Sequence, residues 1–579
     1  MSQHVVIIGG VALGPKAACR FKRLERQSRV TMFDRDSRIS YGGCGIPYYV
    51  SGDVSDAKEL QNTAFHMTRD AKFFRDTKDV DVFPQTEVLG IDRAAKTVRV
   101  RHLPTGKEET VAYDKLVIAT GSSPRRLPIP GVDLPGVHTV TTLDAAEAVR
   151  GMLSGGAVGS AVVIGAGFIG LEMAVALADM WGIETTVVEY ADQILPNVIG
   201  SGLARMAQTH MEEKGVSFRL GAQVTSIEGD GKAERVTVKG KDGTDTLDAE
   251  LVIMSVGVTP NSELAKAAGL EVSPRGGIVV DATMRTSDPD IFAGGDCVEV
   301  PNLITGKPIY LPLGSMANRQ GRVIGTNLAR GTNLADGASR FEGAVGSWCV
   351  KLFDVGAAGT GLSLPAAKAA GFDAINVHVS QLDRAHFYPD KGLMSLELVV
   401  ERSTRRILGM QGVSVMGDAL VGKVNAVAAL LPSAPRADVL GNLEMAYSPP
   451  YASAMDILNV LGNAADNILS GQNKGIGMEE FGALFSEMGA GSSHFLIDCR
   501  EWANAEPFME KHPGIWHNIP QGQLPGRLAE VPKDRDIVLI CNTGARSYEA
   551  LVILANAGYK NVVSVEGGMA AVERAGLGV

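Results

Sequence analysis

A multidomain α/β architecture is the expectation for this chain of 579 residues, and three observations point to it. Two apolar runs, Val5-Val6-Ile7-Ile8 and Ala161-Val162-Val163-Ile164, each pass directly into a glycine-rich turn and then a helical stretch. A third, Ile537 to Ile540, ends in the loop Cys541-Asn542-Thr543-Gly544-Ala545-Arg546-Ser547, with a helix expected from near Ser547. Short continuous apolar runs suit parallel strands covered on both faces. The length exceeds what one hydrophobic core serves, so about three to five domains are expected.

Composition narrows the class. With 45% hydrophobic and 21% charged residues and 68 glycines, the chain reads as soluble and globular rather than disordered or fibrous. A net charge of -10 argues against a nucleic-acid partner. The six cysteines are scattered, which suggests neither a disulfide framework nor a zinc site and fits a reducing compartment. Met1-Ser2-Gln3 enters a strand at His4 without a leader-like segment, so a cytoplasmic location is expected. The apolar stretch from Gly155 to Leu171 is glycine-rich and followed by Glu172, and is read as a buried strand entering a helix rather than a membrane span.

The first unit runs from its strand through Gly9-Gly10-Val11-Ala12-Leu13-Gly14 to a helix ending about Gln27, and a second strand, Val30 to Phe33, ends at Asp34. Its turn departs from strict spacing at Val11. The second unit repeats the pattern with Gly165-Ala166-Gly167-Phe168-Ile169-Gly170, a helix to about Trp181, and a strand from Thr185 to Val188 that ends at Glu189. In such units glycines allow close approach to a pyrophosphate at a helix N-terminus, and the acid accepts hydrogen bonds from a ribose. One fingerprint is equally an ordinary strand-to-helix turn; two, each with its acid, indicate two dinucleotide sites.

The strand Leu116 to Ala119 leading into Thr120-Gly121, and Ile291-Phe292-Ala293-Gly294-Gly295-Asp296, are of kinds that close around a flavin. Their order implies a flavin domain (1-150 and 286-330) interrupted by a nicotinamide domain (151-285).

These residues resemble the pyridine nucleotide-disulfide oxidoreductases, and among them the single-cysteine branch of coenzyme A disulfide reductases, NADH oxidases and NADH peroxidases. The resemblance implies Rossmann-like FAD and NAD domains of the glutathione reductase type, an α+β dimerisation domain (331-465), a linker (466-485) and a C-terminal α/β rhodanese domain (486-579). The dimerisation domain is expected to have strands at Ile375 to Val379, Leu393 to Val400 and Ile407 to Val415. Asp498-Cys499-Arg500, Asn518-Ile519-Pro520 and Glu566-Gly567-Gly568 carry the rhodanese likeness with the Cys541 loop. Asp296 would hold the ribityl chain of FAD, with Arg35, Val88 and Leu313 also assigned to the flavin site. Glu172 and Gly257 would lie by the nicotinamide. Tyr388 and Tyr447 match tyrosines supplied to the active site by the partner of a homodimer; their plainer reading is interface aromatics.

Two thiols carry the expected chemistry. Cys44 stands among Gly42, Gly43 and Gly45, which free backbone amides and admit another molecule, so a redox role is favoured over a packed small hydrophobe. Dithiol relatives have a second cysteine where this chain has Tyr49, which implies a one-cysteine cycle. Cys541, with Arg546 and converging loop amides, is read as a carrier of sulfane sulfur. Glu189 favours NADH over NADPH because a carboxylate repels the 2'-phosphate. Arg20, Lys22 and Arg23 make the first helix basic and, with Ser40, match a coenzyme A site; a solvated face is the alternative, and Gly43 replaces the asparagine usual in coenzyme A disulfide reductases. The overall expectation is NADH- and FAD-dependent reduction of persulfide, polysulfide or coenzyme A persulfide substrates. Coenzyme A disulfide reduction, NADH oxidase or peroxidase activity, and a redox sensor are the rivals.

Overall fold

The computed structural model describes residues 2–330, 337–489 and 491–579. They form two compact units, Met1–Tyr190 with Ala222–Ala344, and Ala191–Gly221 with Val345–Val579.

The first unit contains a parallel sheet in the order Ile291–Ala293, Lys115–Ile118, His4–Ile8, Arg29–Phe33, Asp81–Phe83. Its central strands are apolar along most of their length because both faces are covered: Val5, Val6 and Ile7 are wholly buried, as are Leu116, Val117 and Ile118. The helix Leu13–Leu24 lies against Gly314–Arg330. Gly321 and Gly325 permit that approach, since a Cβ on either would stand 2.8 Å from Leu13 O or 2.5 Å from Ala17 O. A second parallel sheet pairs Ser160–Ile164 with Glu184–Val188 on one side and Leu251–Met254 on the other. The apolar stretch from Gly155 is thus the strand Ser160–Ile164 followed by the helix Phe168–Asp179. Among the described residues no helix is long and apolar enough to cross a membrane.

The second unit holds a five-stranded antiparallel sheet in the order Trp348–Leu352, Val355–Gly361, Ile407–Ser414, Leu393–Glu401, Ala374–Leu382. It also holds a parallel sheet in the order Gly475–Ile476, Val562–Val565, Asp536–Ile540, His494–Asp498, Trp516–Asn518. The segment expected as a linker, 466-485, has regular structure. It contains the end of the helix Ile457–Leu469, the edge strand Gly475–Ile476 and most of the helix Met478–Glu487. Phe481 and Phe485, four residues apart, put one face of that last helix into the core. The helix Ser201–Glu213, inside the stretch assigned to the nicotinamide domain, belongs to the second unit. It is held there by Ser201 Oγ donating to Glu479 at 2.5 Å and by Arg205 Nε donating to Ala575 O at 3.1 Å.

Candidate functional site

The strand His4–Ile8 leaves the sheet at Gly9, whose φ of +112° and whose contact with Ala119 O, 2.1 Å from any Cβ, exclude other residues. Gly14 is constrained by close approach alone, since a Cβ there would stand 2.0 Å from Gly9 O. Val11 and Ala12, at the departure from strict spacing, are half-buried and leave the turn intact. Asp34 Oδ2 accepts from Gly10 N at 2.6 Å, and Oδ1 from Asp36 N at 2.8 Å. Burial is the largest influence on Asp34 and pushes its carboxyl above the usual range, against these two N–H donors. Ser40 is buried with φ +52°, and its N–H donates to Gly10 O. Arg35 is largely exposed and Val88 is buried. At the next strand end, Thr120 Oγ1 donates to Asn261 O at 2.5 Å and Gly121 takes φ +65° with open space at its Cβ position. Asp296 is desolvated, which raises its carboxyl, and accepts from Ser122 Oγ at 3.2 Å. A left-handed glycine turn at a helix start, an acid at the second strand end and a desolvated acid just beyond the strand Ile291–Ala293 fit FAD.

Cys44 is the middle residue of the helical turn Gly43–Gly45, which runs into the helix Ile46–Ser51 with Pro47 in its first turn. Its sulfur is 3.7 Å from the Cβ position of Gly314, the first residue of a 17-residue helix that follows Leu313. The thiol is exposed, yet enough protein crowds it that desolvation is the largest influence and raises its pKa. The Glu172 and Asp296 carboxylates add to that rise, and the N–H groups of Gly314 and Cys44 oppose it. Glu172 is itself pushed up by desolvation and accepts from Tyr48 Oη at 3.1 Å. Where dithiol relatives would carry a second cysteine, Tyr49 is buried with its ring 4.4 Å from the Arg150 guanidinium. Arg150 Nη1 also donates to Tyr49 O and Val54 O, and Trp181 Nε1 donates to Val50 O, tying down the helix that follows Cys44.

The second fingerprint repeats the geometry of the first. Gly165 has φ +102°, and a Cβ on Gly170 would stand 1.9 Å from Gly165 O. Gly167 caps the helix Phe168–Asp179, with Phe168 half-buried and Ile169 exposed. Glu189 Oε2 accepts from Ala166 N at 2.8 Å, placing the acid at the turn. Gly257 takes φ +92°, and its carbonyl accepts from Arg125 N.

The basic helix end divides. Lys22 is buried and its ammonium is committed to Arg26 O, Ser28 O and Asp79, so it is no phosphate ligand. Arg20 Nε donates to Thr326 Oγ1 at 2.9 Å, while Arg23 is exposed.

In the second unit, Cys541 follows the strand Asp536–Ile540 and is only 1% exposed. The helix beyond it begins at Ala545. Gly544 N and Ser547 N donate to its sulfur at 3.2 and 3.4 Å, and Ser547 Oγ lies 3.5 Å away, itself accepting from Ser564 Oγ. Gly544 supplies these amides by taking φ +100°. Arg546 lies in the first turn of the helix Ala545–Asn556. Cys499 is fully buried, and burial pushes its thiol far up, in keeping with a packing role. Asp498 receives Arg500 Nε and Nη2 and Trp516 Nε1, an internally satisfied buried pair. Tyr388 is half-buried, and Tyr447 is 51% exposed.

The first unit therefore gathers Cys44, Glu172 and Asp296, and the second holds Cys541 with the Gly544 and Ser547 amides on its sulfur. Sequence reasoning missed Tyr48, Gly314, Ser547 and Ser564. Tyr48 had a signal, since it stands four residues beyond Cys44 and so shares its helical face. Gly314 and Ser564 had none, being remote in sequence from the thiols they adjoin.

Two dinucleotide-type units beside the exposed Cys44 thiol define a nucleotide-dependent redox enzyme, and the amide-lined Cys541 loop marks a second thiol centre in a further domain. The pyridine nucleotide-disulphide oxidoreductase family matches residues 3–307, its dimerisation domain residues 348–456, and a rhodanese-like domain residues 482–575. The chain belongs to the pyridine nucleotide-disulphide oxidoreductases and is an FAD-dependent member carrying a rhodanese domain. The solved NAD-dependent persulfide reductase of A. fulgidus is similar at 37% identity and TM-score 0.90, over 98% of this chain and 99% of that one. The reduced CoADR-RHD protein of Bacillus anthracis is 31% identical, with TM-score 0.88, over 99% of this chain and 98% of that one. The NAD(P)H coenzyme A polysulfide/persulfide reductase of Pyrococcus horikoshii is 33% identical over 80% of this chain and 98% of that protein.

Proposed function

We propose that this enzyme reduces persulfides, polysulfides or coenzyme A persulfide with NADH through the single thiol of Cys44, and that Cys541 handles sulfane sulfur. The observation that carries this reading is the pairing, in one chain, of an exposed redox-site thiol lacking a second cysteine with a thiol held by the Gly544 and Ser547 amides. Bound FAD supplies the hydride acceptor and two-electron relay. It would be held by Gly9, Gly10, Val11, Ala12, Gly14, Asp34, Arg35, Val88, Thr120, Gly121, Asp296 and Leu313. NADH would lie on Gly165, Gly167, Phe168, Ile169 and Gly170, with Glu189 at the ribose and Glu172 and Gly257 near the nicotinamide.

Cys44, as thiolate, attacks the sulfane sulfur of a persulfide RS–SH; the S–S bond breaks and the thiol RSH leaves with a proton. Two electrons originating in NADH then cleave the new S–S bond on Cys44, releasing sulfide and restoring the thiolate. The Gly314 amide stabilises that thiolate. Tyr388 and Tyr447, from the partner of a homodimer, would donate a hydrogen bond or a proton to the leaving group; the dimerisation-domain match and the exposure of Tyr447 support this. Cys541 would receive sulfane sulfur and hold it as a persulfide on its loop amides, near Arg546. Because 466-485 contains regular elements, a small carrier thiol such as coenzyme A is favoured over a swinging tether for onward delivery. Arg20, Arg23 and Ser40 remain the candidate coenzyme A residues.

Anaerobic NADH oxidation with glutathione persulfide, beside coenzyme A disulfide, tests the reading. Turnover with sulfide release should vanish in Cys44→Ser and persist in Cys541→Ser, which should lose thiosulfate sulfurtransferase activity instead. Turnover only with the coenzyme A disulfide, or only with oxygen or peroxide, would refute it.

A further inference from the structure

Behind the Cys541 loop lies a buried polar cluster that the reduction does not use. The strand Val562–Val565 ends at Glu566, followed by Gly567 and Gly568 with φ +72° and +57°. This segment backs the cysteine loop closely: a Cβ on Gly568 would stand 2.3 Å from Cys541 O, while Met569 N and Ala570 N donate to Cys541 O and Asn542 O at 2.8 and 2.9 Å. On its other side the segment is gripped by the antiparallel sheet of the same unit. His378 N, on the strand Ala374–Leu382, donates to Glu566 Oε2 at 2.6 Å, and a Cβ on Gly567 would stand 2.5 Å from the His378 ring. His378 Nε2 is 3.0 Å from Ser380 Oγ, and its Nδ1 is buried without a hydrogen-bond partner, 3.6 Å from Glu397 Oε1. The His378 and Glu397 side chains are 2% and 4% exposed.

We propose that Glu566 and His378 are positioning residues for sulfur transfer at Cys541, clamping the Glu566–Gly568 segment so that the rhodanese loop is held in its working shape by the dimerisation domain. This rests on the reading of Cys541 as a sulfur carrier. A buried segment joined on one face to the loop carbonyls and on the other to a neighbouring domain passes any displacement directly to the amides that hold the sulfur.

The groups facing Glu566 are His378 from Ala374–Leu382, Glu397 from Leu393–Glu401 and Glu480 from the helix Met478–Glu487; the strand Gly475–Ile476 contributes the Gly475 backbone. Burial, with added repulsion from Glu397 and Glu480, pushes Glu566 up to about 7, so it gives up its proton within the physiological range. Ionisation places a buried negative charge facing Glu397 and Glu480, and this burial and repulsion, which outweigh the bond from His378 N, work to push the carboxylate out of the clamp.

The test uses the full-length, FAD-loaded enzyme with thiosulfate and cyanide, between about pH 6 and about pH 8. Glu566→Ala should lower kcat/KM for sulfur transfer about tenfold or more and speed iodoacetamide alkylation of Cys541, scored against Cys541→Ser. Glu566→Gln, which keeps a carbonyl acceptor for His378 N, should restore both. Cys44-dependent persulfide reduction should be unchanged throughout. The ratio of wild-type to Glu566→Gln transfer should fall as pH rises through about 7. Wild-type transfer and alkylation in Glu566→Ala, or a ratio independent of pH, would overturn the proposal. If the wild type transfers no sulfur, the sulfur-carrier reading fails while alkylation still judges the clamp; if Glu566→Ala does not fold, the Glu566→Gln ratio decides.

Discussion

Glu189 is the carboxylate proposed to set the electron donor. It stands one residue beyond the strand Glu184–Val188 and is aimed at the glycine turn by its bond from Ala166 N. There it can accept from a ribose hydroxyl and repel a phosphate. Glu189→Arg should therefore shift the ratio of kcat/KM for NADPH over NADH upward by about tenfold or more, one tenfold step being about 1.4 kcal/mol of differential binding. An unmoved ratio in steady-state assays would remove this residue from donor choice. This position was readable in the sequence, because a strand, a turn and an acid at fixed distance are local features. The state of Cys44 was not, since Glu172, Asp296 and Gly314 come from distant segments.

Among elements, the helix Gly314–Arg330 carries most consequence, because its first residue adjoins Cys44 and its body lies on Leu13–Leu24. Alanine at Gly325 would gain about 1 kcal/mol of helix propensity. Its Cβ, however, would stand 2.5 Å from Ala17 O and 2.7 Å from Arg20 Cβ. Overpacking of that kind costs about 1–3 kcal/mol. Gly325→Ala should thus lower Tm by a few degrees, and a raised Tm would show that the helices part without cost. Nothing in the local sequence marks Gly325 as a contact residue. The same gap explains the expectation of a linker at 466-485: polar and glycine residues around Gly471 masked an edge strand of two residues, Gly475–Ile476, that exists only by pairing with Val562–Val565.

For the molecule as a whole, Glu566 ties stability to pH. Its folded value of about 7 lies above its ordinary value of 4.5, so the folded state binds more protons between the two. Stability should accordingly fall as pH rises from about 4.5 to about 7 and then level, by an order-of-magnitude 3 kcal/mol for so deep a burial. Glu566→Gln should flatten that slope in chemical denaturation followed between pH 5 and pH 7, and an identical slope would assign it to other groups.

The sequence alone determined the two strand, glycine turn and helix units with their acids, and the position of the Cys541 loop at a strand end. Each is written in a short run of residues whose turn geometry and hydrogen bonding are local. Tertiary structure alone decided that Lys22 is spent on Arg26, Ser28 and Asp79, that Gly314 and Glu172 attend Cys44, and that His378 and Glu397 stand behind the Cys541 loop. Those relations join segments far apart along the chain, and only packing brings the partners within the few ångströms where desolvation and charge act.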